Sequence, residues 1–116
     1  MLFRSVRMNF ETIPAKSLDG YIGRPDCMII DLRDWEEYCQ GHIKGAVCAP
    51  FEQFQKSVPL RKNVRYVLYC ERGSASLMAA KRLAGLGYQA STVIGGILSY
   101  RGRHLVLCGE GERNRH

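Results

Sequence analysis

Cys70 stands where an apolar run, Val64-Arg-Tyr-Val-Leu-Tyr69, meets a short polar turn, Glu71-Arg-Gly-Ser-Ala-Ser76, that opens a helical pattern. A cysteine so placed faces backbone amides and the positive end of a helix dipole, and both favour a thiolate over a thiol. The chemistry this implies is nucleophilic: a sulfur that attacks an electrophile and holds it covalently. Arg72 is the one cation inside the turn and is a source of positive charge for an anionic substrate. Glu71, beside the nucleophile, opposes that charge and repels anionic substrates, so it favours a less charged substrate if it faces the pocket.

The other residues able to do chemistry read as structural. Five cysteines, Cys27, Cys39, Cys48, Cys70 and Cys108, are an odd number with no Cys-x-x-Cys pair. That argues against a disulfide framework and a thioredoxin-type motif, so free thiols are expected, inert apart from Cys70, with Cys48 or Cys108 the candidates for a second reactive thiol near the pocket. Cys39-Gln-Gly-His42, with Cys48 beyond it, offers metal ligands at a plausible spacing, but no second pair completes a tetrahedral site, and no metal is expected. Asp31 and Arg33 read as a structural ion pair at a strand end. His42 reads as a donor of hydrogen bonds to backbone rather than a general base. Trp35, Tyr38, Phe51 and Phe54 read as core or rim packing.

Composition bounds the rest. The 116 residues match one domain, and no second is expected. Seventeen basic against eleven acidic residues give +6, with Arg4, Arg7, Arg101, Arg103, Arg113 and Arg115 near the ends. Such a surplus suits a small anionic substrate, and the terminal arginines serve solubility. No nucleic-acid motif accompanies the charge, and the six tyrosines are scattered, so no specific nucleic-acid partner is expected. No stretch approaches the ~20 apolar residues of a membrane span, and Met1-Leu-Phe-Arg-Ser-Val-Arg7 lacks the apolar run of a secretory signal, so a cytoplasmic location is the expectation.

The elements that must position Cys70 alternate between strand and helix. Strands are predicted at Asn9 to Ile13, Cys27 to Leu32, Gly45 to Cys48, Val64 to Tyr69 and Ala90 to Ile94. Helical stretches are predicted at Pro14 to Tyr21, Phe51 to Ser57, Ser74 to Leu86 and Ile97 to Arg101, with a short one started by the capping box Asp34-Trp-Glu-Glu37 and ending near Gly41. In the longest, Leu77, Ala80 and Ala84 form one stripe with Ala79, Leu83 and Leu86 beside it, and Gly87 is placed as a left-handed cap. The alternation implies an α/β fold, a central, mostly parallel five-stranded sheet with helices on both faces. Ligands in such sheets sit beyond the carboxyl ends of the strands, and Cys70 lies at one of those ends.

Four ordered segments resemble a rhodanese domain: Ile29-Ile-Asp-Leu-Arg-Asp-Trp-Glu-Glu-Tyr38, Gly41-His-Ile-Lys-Gly-Ala46, Tyr69-Cys-Glu-Arg-Gly-Ser-Ala-Ser76 and Val93-Ile-Gly-Gly-Ile97. The first two resemble the family's amino-terminal signature, the third its active-site loop and the last the glycine pair before its closing helix. The resemblance spans residues 10–103, which leaves 1–9 as an N-terminal extension and 104–116 as a C-terminal tail. It implies a single-domain sulfurtransferase. Cys70 would take a sulfane sulfur from thiosulfate, or from a polysulfide or persulfide donor, and hold it as a persulfide. The sulfur would then pass to a thiol, cyanide or a protein acceptor. Glu71, Arg72, Gly73, Ser74, Ala75 and Ser76 would bind the substrate, with no metal or organic cofactor.

Loop length bears on the electrophile. Cys70 through Ala75 resembles the six-residue loop of sulfurtransferases. Related phosphatases and arsenate reductases use one residue more, followed by an arginine, whereas this chain has Ala75 and Ser76 there. Without that cation the developing charge of phosphoryl transfer has no partner. Ala75 also stands where many rhodaneses carry a basic residue, which leaves Arg72 to supply the charge. The alternative is a rhodanese-like interaction or redox-sensing module without catalysis.

Overall fold

The computed structural model describes residues 10–109. The expected N-terminal extension and the charges of Arg4, Arg7, Arg113 and Arg115 lie outside the described residues. Five strands form one sheet: β1 (Phe10–Pro14), β2 (Cys27–Asp31), β4 (Val47–Cys48), β5 (Arg65–Tyr69) and β6 (Gln89–Ile94). Their order is β1-β6-β5-β2-β4, and every pairing in it is parallel. The chain runs outward from β2 to β4, then returns to β5 and runs the other way to β6. The order therefore reverses between β2 and β5, the place where α/β sheets hold ligands.

The central strands carry mostly apolar side chains on both faces because both faces of the sheet are covered. Along β5 alternate side chains serve opposite cores. Tyr66, Leu68 and then Cys70 pack with Ile30, Phe54, Ala80 and Leu83, under α2 (Phe54–Ser57) and α3 (Ser74–Gly85). Val67 and Tyr69 pack on the other face with Ile13, Leu18, Ile43 and Tyr100. α3 buries Ser76, Ala79, Ala80, Leu83 and Ala84, so the predicted stripe is turned: Leu77 is half-buried and Leu86 exposed. Gly87 follows in the left-handed conformation expected of it, at φ +94°.

The helical stretches predicted at 14–21 and 97–101 are 3₁₀ turns, Ala15–Tyr21 and Gly96–Ser99. Ser17, Asp19 and Gly20 are poor helix formers, and the segment is too short to repay helix nucleation. The capping box forms as predicted: Glu37 N donates to Asp34 Oδ1 at 2.8 Å, Asp34 N to Glu37 Oε1 at 3.3 Å, and α1 (Trp35–Cys39) follows.

Two short strands carry no sequence pattern. β3 (His42–Ile43) pairs antiparallel with β7 (Leu105–Val106), drawing the segment after Arg103 back onto the domain. This ladder corrects the cysteine reading, because Cys39 and Cys108 are joined in a disulfide, 69 residues apart in sequence, with Cα atoms 4.4 Å apart. Cys108 N also donates to Cys39 O at 3.0 Å. Cys108 is therefore not a second reactive thiol, and the free thiols among the described residues are Cys27, Cys48 and Cys70. An odd cysteine count cannot reveal a pair that a remote backbone ladder brings together. No helix among the described residues is long and apolar enough to cross a membrane.

Candidate active site

The chain leaves the sheet at Cys70 and turns through Glu71, Arg72 and Gly73 into α3. Gly73 caps that helix at φ +113°, a conformation that side chains disfavour. The turn folds the first amides of α3 back over the cysteine, which is buried at 7% exposure. Cys70 Sγ accepts the Gly73 N–H at 3.1 Å and the Ser76 N–H at 3.4 Å. The second of these is a helix-terminal amide with no acceptor of its own inside the helix. Ser76 Oγ lies 3.7 Å from the same sulfur, 3.2 Å from Gly73 O and 2.7 Å from Thr92 Oγ1. The Gly73 and Ser76 amides converge on the sulfur and stabilise negative charge there.

The loop is held from outside by the turn after β6. Ile97 N donates to Cys70 O at 2.9 Å and Leu98 N to Glu71 O at 3.2 Å. Gly96, at φ +63°, makes that approach possible: a methyl group there would strike the Glu71 carbonyl and lie 2.6 Å from Cys70 O. The glycine pair is thus a clamp on the loop backbone.

The charges of the loop stay at its rim. Arg72 Nε lies 3.9 Å from Glu71 Oε2, with the arginine side chain 77% exposed and the glutamate 45%. Each screens the other, so neither dominates the field at the sulfur. Ser74 is exposed, and Ala75 packs half-buried against the core under α3. Beside the loop, toward β1 and β6, lies a cavity of about 300 Å³. Arg72, Ser74, Leu77, Thr12 and Ile94 are among the residues lining it. The predicted set Cys70 to Ser76 is thus contiguous in space, with Gly73 and Ser76 on the sulfur and Glu71 and Arg72 outside.

The residues read as structural are engaged elsewhere. Asp31 is fully buried at the end of β2 and accepts from Arg33 Nε at 3.1 Å, Arg33 Nη2 at 2.9 Å and Arg33 N at 2.9 Å. Arg33 Nη2 also donates to Gly41 O at 2.6 Å, which ties the loop after β2 to β3. Burial disfavours the Arg33 charge, yet the Asp31 hydrogen bonds and charge outweigh it and hold the guanidinium above its usual pKa. His42 Nδ1 donates to Tyr38 O at 2.8 Å, and its ring stacks on Tyr38 with centroids 3.7 Å apart. Cys39 is held by the disulfide, so the Cys39, His42 and Cys48 set is not assembled for a metal. Cys48 Sγ sits 3.7 Å from Arg33 O, and burial pushes its thiol pKa up, with Asp31 adding to the effect.

Thr92 and Gly96 shape the loop and were not singled out as site residues from sequence. Gly96 had a signal, the Gly95-Gly96 pair in the fourth segment. Thr92 had none, being one of two neighbouring hydroxyl residues, with Ser91, in the predicted strand 90–94.

Comparison with known proteins identifies the family of the fold. The family model described as rhodanese-like domain matches residues 14–103. A tRNA sulfurtransferase of Desulfurococcus amylolyticus is 35% identical over 97 residues, covering 79% of this chain and 20% of that protein. A Bacillus subtilis protein assigned as a sulfur carrier is 30% identical over 101 residues, covering 82% of this chain and 55% of its own length. This chain therefore spans about a fifth of the first relative and about half of the second. Among solved structures, a rhodanese-related protein of Thermoplasma volcanium superposes with a TM-score of 0.74 at 28% identity, covering 84% of this chain and 98% of the other. With the family model matching residues 14–103 and the parallel sheet shared with that solved structure, the chain belongs to the rhodanese-like domain family.

Proposed function

We propose that the protein is a sulfurtransferase that carries sulfur as a persulfide on Cys70. The observation that carries this reading is the convergence of the Gly73 and Ser76 amides on Cys70 Sγ at 3.1 and 3.4 Å. The thiolate attacks the sulfane sulfur of the donor, and an S–S bond forms to Cys70. With thiosulfate, the donor S–S bond breaks and sulfite leaves with the electron pair. An acceptor thiolate or cyanide then attacks the outer sulfur, and the pair of the breaking bond returns to Cys70 Sγ. Negative charge stands on Sγ before the first step and returns to it in the second, where the loop amides point, which is electrostatic stabilisation without a metal or organic cofactor.

The loop suits a donor less charged than thiosulfate. Arg72 is paired with Glu71 at the rim, and Ala75 adds no cation. The adjoining cavity, with Leu77 and Ile94 in its wall, offers room for the organic part of a persulfide or of an acceptor thiol. The relatives named for sulfur transfer and sulfur carriage support sulfur transfer in general.

The test is the intact mass of the protein after brief exposure to thiosulfate and, separately, polysulfide, for wild type and Cys70→Ser without reductant. The expected result is a gain of one sulfur atom in wild type that reductant removes and Cys70→Ser lacks, larger with polysulfide. No gain from either donor would replace this reading with a module that binds or senses without transferring sulfur.

A further inference from the structure

We infer that Thr92 is a positioning residue for Cys70, acting through Ser76: its hydroxyl donates to Ser76 Oγ and leaves the single Ser76 proton to alternate between the Gly73 carbonyl and the Cys70 sulfur. This rests on the sulfurtransferase reading and deepens it.

Thr92 lies on β6 opposite Leu68 of β5, at 2% exposure, and Ser76 lies fully buried on α3. The two hydroxyls are 2.7 Å apart, and among the described residues Ser76 is the hydrogen-bond partner of the Thr92 side chain. A hydroxyl has one proton to give and two lone pairs to receive. If Ser76 donated to Thr92, the Thr92 proton would have no protein acceptor among the described residues, leaving it to solvent in the adjoining cavity whose wall Thr92 shares. In the opposite direction every proton is used. Thr92 donates to Ser76 Oγ and Ser76 donates to Gly73 O at 3.2 Å, while the Cys70 thiol donates to Ser76 Oγ across 3.7 Å, a distance over which the Ser76 proton can turn to the sulfur once the thiol proton is lost.

The state of the sulfur selects between those acceptors. While Cys70 is a thiol, its S–H points to Ser76 Oγ and the Ser76 proton goes to Gly73 O. Once the sulfur is negative, the Ser76 O–H turns to it and becomes a third donor beside the Gly73 and Ser76 amides. Thr92 donates in both arrangements, so it fixes the pivot and polarises the Ser76 O–H, which strengthens its donation. Charge stands on the inner sulfur before the donor is attacked. It returns when the acceptor takes the outer sulfur and the bonding pair collapses onto Sγ. In the persulfide the charge is on the outer sulfur and Ser76 returns to Gly73 O. Valine has nearly the same shape and strand preference, so the hydroxyl is the feature that distinguishes threonine at this buried position.

The experiment is the rate at which iodoacetamide alkylates Cys70, read on the Cys70 peptide by mass spectrometry. It is paired with the rate at which the loaded protein discharges its persulfide to a small thiol. The proteins are wild type, Thr92→Val, Thr92→Ser, Ser76→Ala and Ser76→Ala/Thr92→Val, each checked by thermal unfolding. Thr92→Val is expected to slow both rates about five- to tenfold, the loss of one buried hydrogen bond to a reacting group. Thr92→Ser is expected to restore them to within about twofold. In the Ser76→Ala background Thr92→Val should add nothing, because the effect runs through that hydroxyl. Should Thr92→Val not fold, Thr92→Ala set against Thr92→Ser makes the same comparison. Wild-type rates in Thr92→Val, equal slowing in Thr92→Ser, or an undiminished effect without the Ser76 hydroxyl would each overturn the inference. Alkylation needs no sulfur donor. The expected alkylation pattern in a protein that takes up no sulfur would therefore refute the sulfurtransferase reading alone, and normal uptake with no Thr92 effect would refute this inference alone.

Discussion

Gly96→Ala should disable the loop while leaving the fold standing. At φ +63° an alanine pays about 1–2 kcal/mol for the left-handed conformation. Its methyl would also meet the Glu71 carbonyl and stand 2.6 Å from Cys70 O, and these are backbone atoms that cannot swing aside as a side chain would. Carbon and carbonyl oxygen rest at about 3.3–3.6 Å, so the loop and the clamp must part by roughly 1 Å. The bonds from Ile97 N to Cys70 O and from Leu98 N to Glu71 O then lengthen, at about 1 kcal/mol each. The expected loss is about 3–4 kcal/mol, within the stability of most domains. A shift of this size at the nucleophile costs about 100-fold in rate. Urea denaturation and the rate of sulfur uptake at Cys70 read the two effects separately. Gly85→Ala is the contrast: it lies in α3, its added methyl meets nothing within 4 Å, and it should stabilise by about 0.5–1 kcal/mol. Gly96→Ala within about 1 kcal/mol of wild type and within threefold in rate would refute the clamp, since strain and displacement must each exceed that.

Two further outcomes follow from the rest of the fold. Breaking the Cys39–Cys108 link releases a closure over 69 residues, worth about 4 kcal/mol in the chain-entropy account. Reductant should lower the urea midpoint of wild type and not of Cys39→Ser/Cys108→Ser, and equal responses would refute a stabilising role. Burial, with the Asp31 charge adding to it, holds the Tyr69 phenol well above its ordinary 10.0. Below that value the folded and unfolded chains both keep the proton and the stabilisation is complete. Above it only the unfolded chain loses the proton, so stability falls as pH rises, by up to about 1.4 kcal/mol per unit. Denaturation across pH 9 to about 11.5 should show this slope in wild type and a shallower one in Tyr69→Phe. An equal slope in both would refute it.

Much of the site was legible because it is local. Cys70, Gly73 and Ser76 lie within one strand–turn–helix unit, so an apolar run, a glycine and a serine spacing suffice to put two amides on the sulfur. The capping box Asp34 to Glu37 and the Asp31–Arg33 pair are local for the same reason. The sheet itself follows from continuous apolar runs alternating with helical patterns, since strands covered on both faces cannot afford alternating polarity.

What only the packed chain decides depends on partners remote in sequence. Thr92 reaches Ser76 because β6 lies beside β5, and Gly96 reaches the Cys70 carbonyl because the turn after β6 folds over the loop. Cys39 meets Cys108 because β3 and β7 pair two residues at a time, too short a ladder to leave a periodic trace. Arg72 sits at the rim, 3.9 Å from Glu71 and in the wall of the adjoining cavity, a choice among rotamers that composition does not encode. The amino-acid order dictates contacts a few residues apart through backbone geometry, whereas long-range contacts form only after loop closure and burial have placed two segments together.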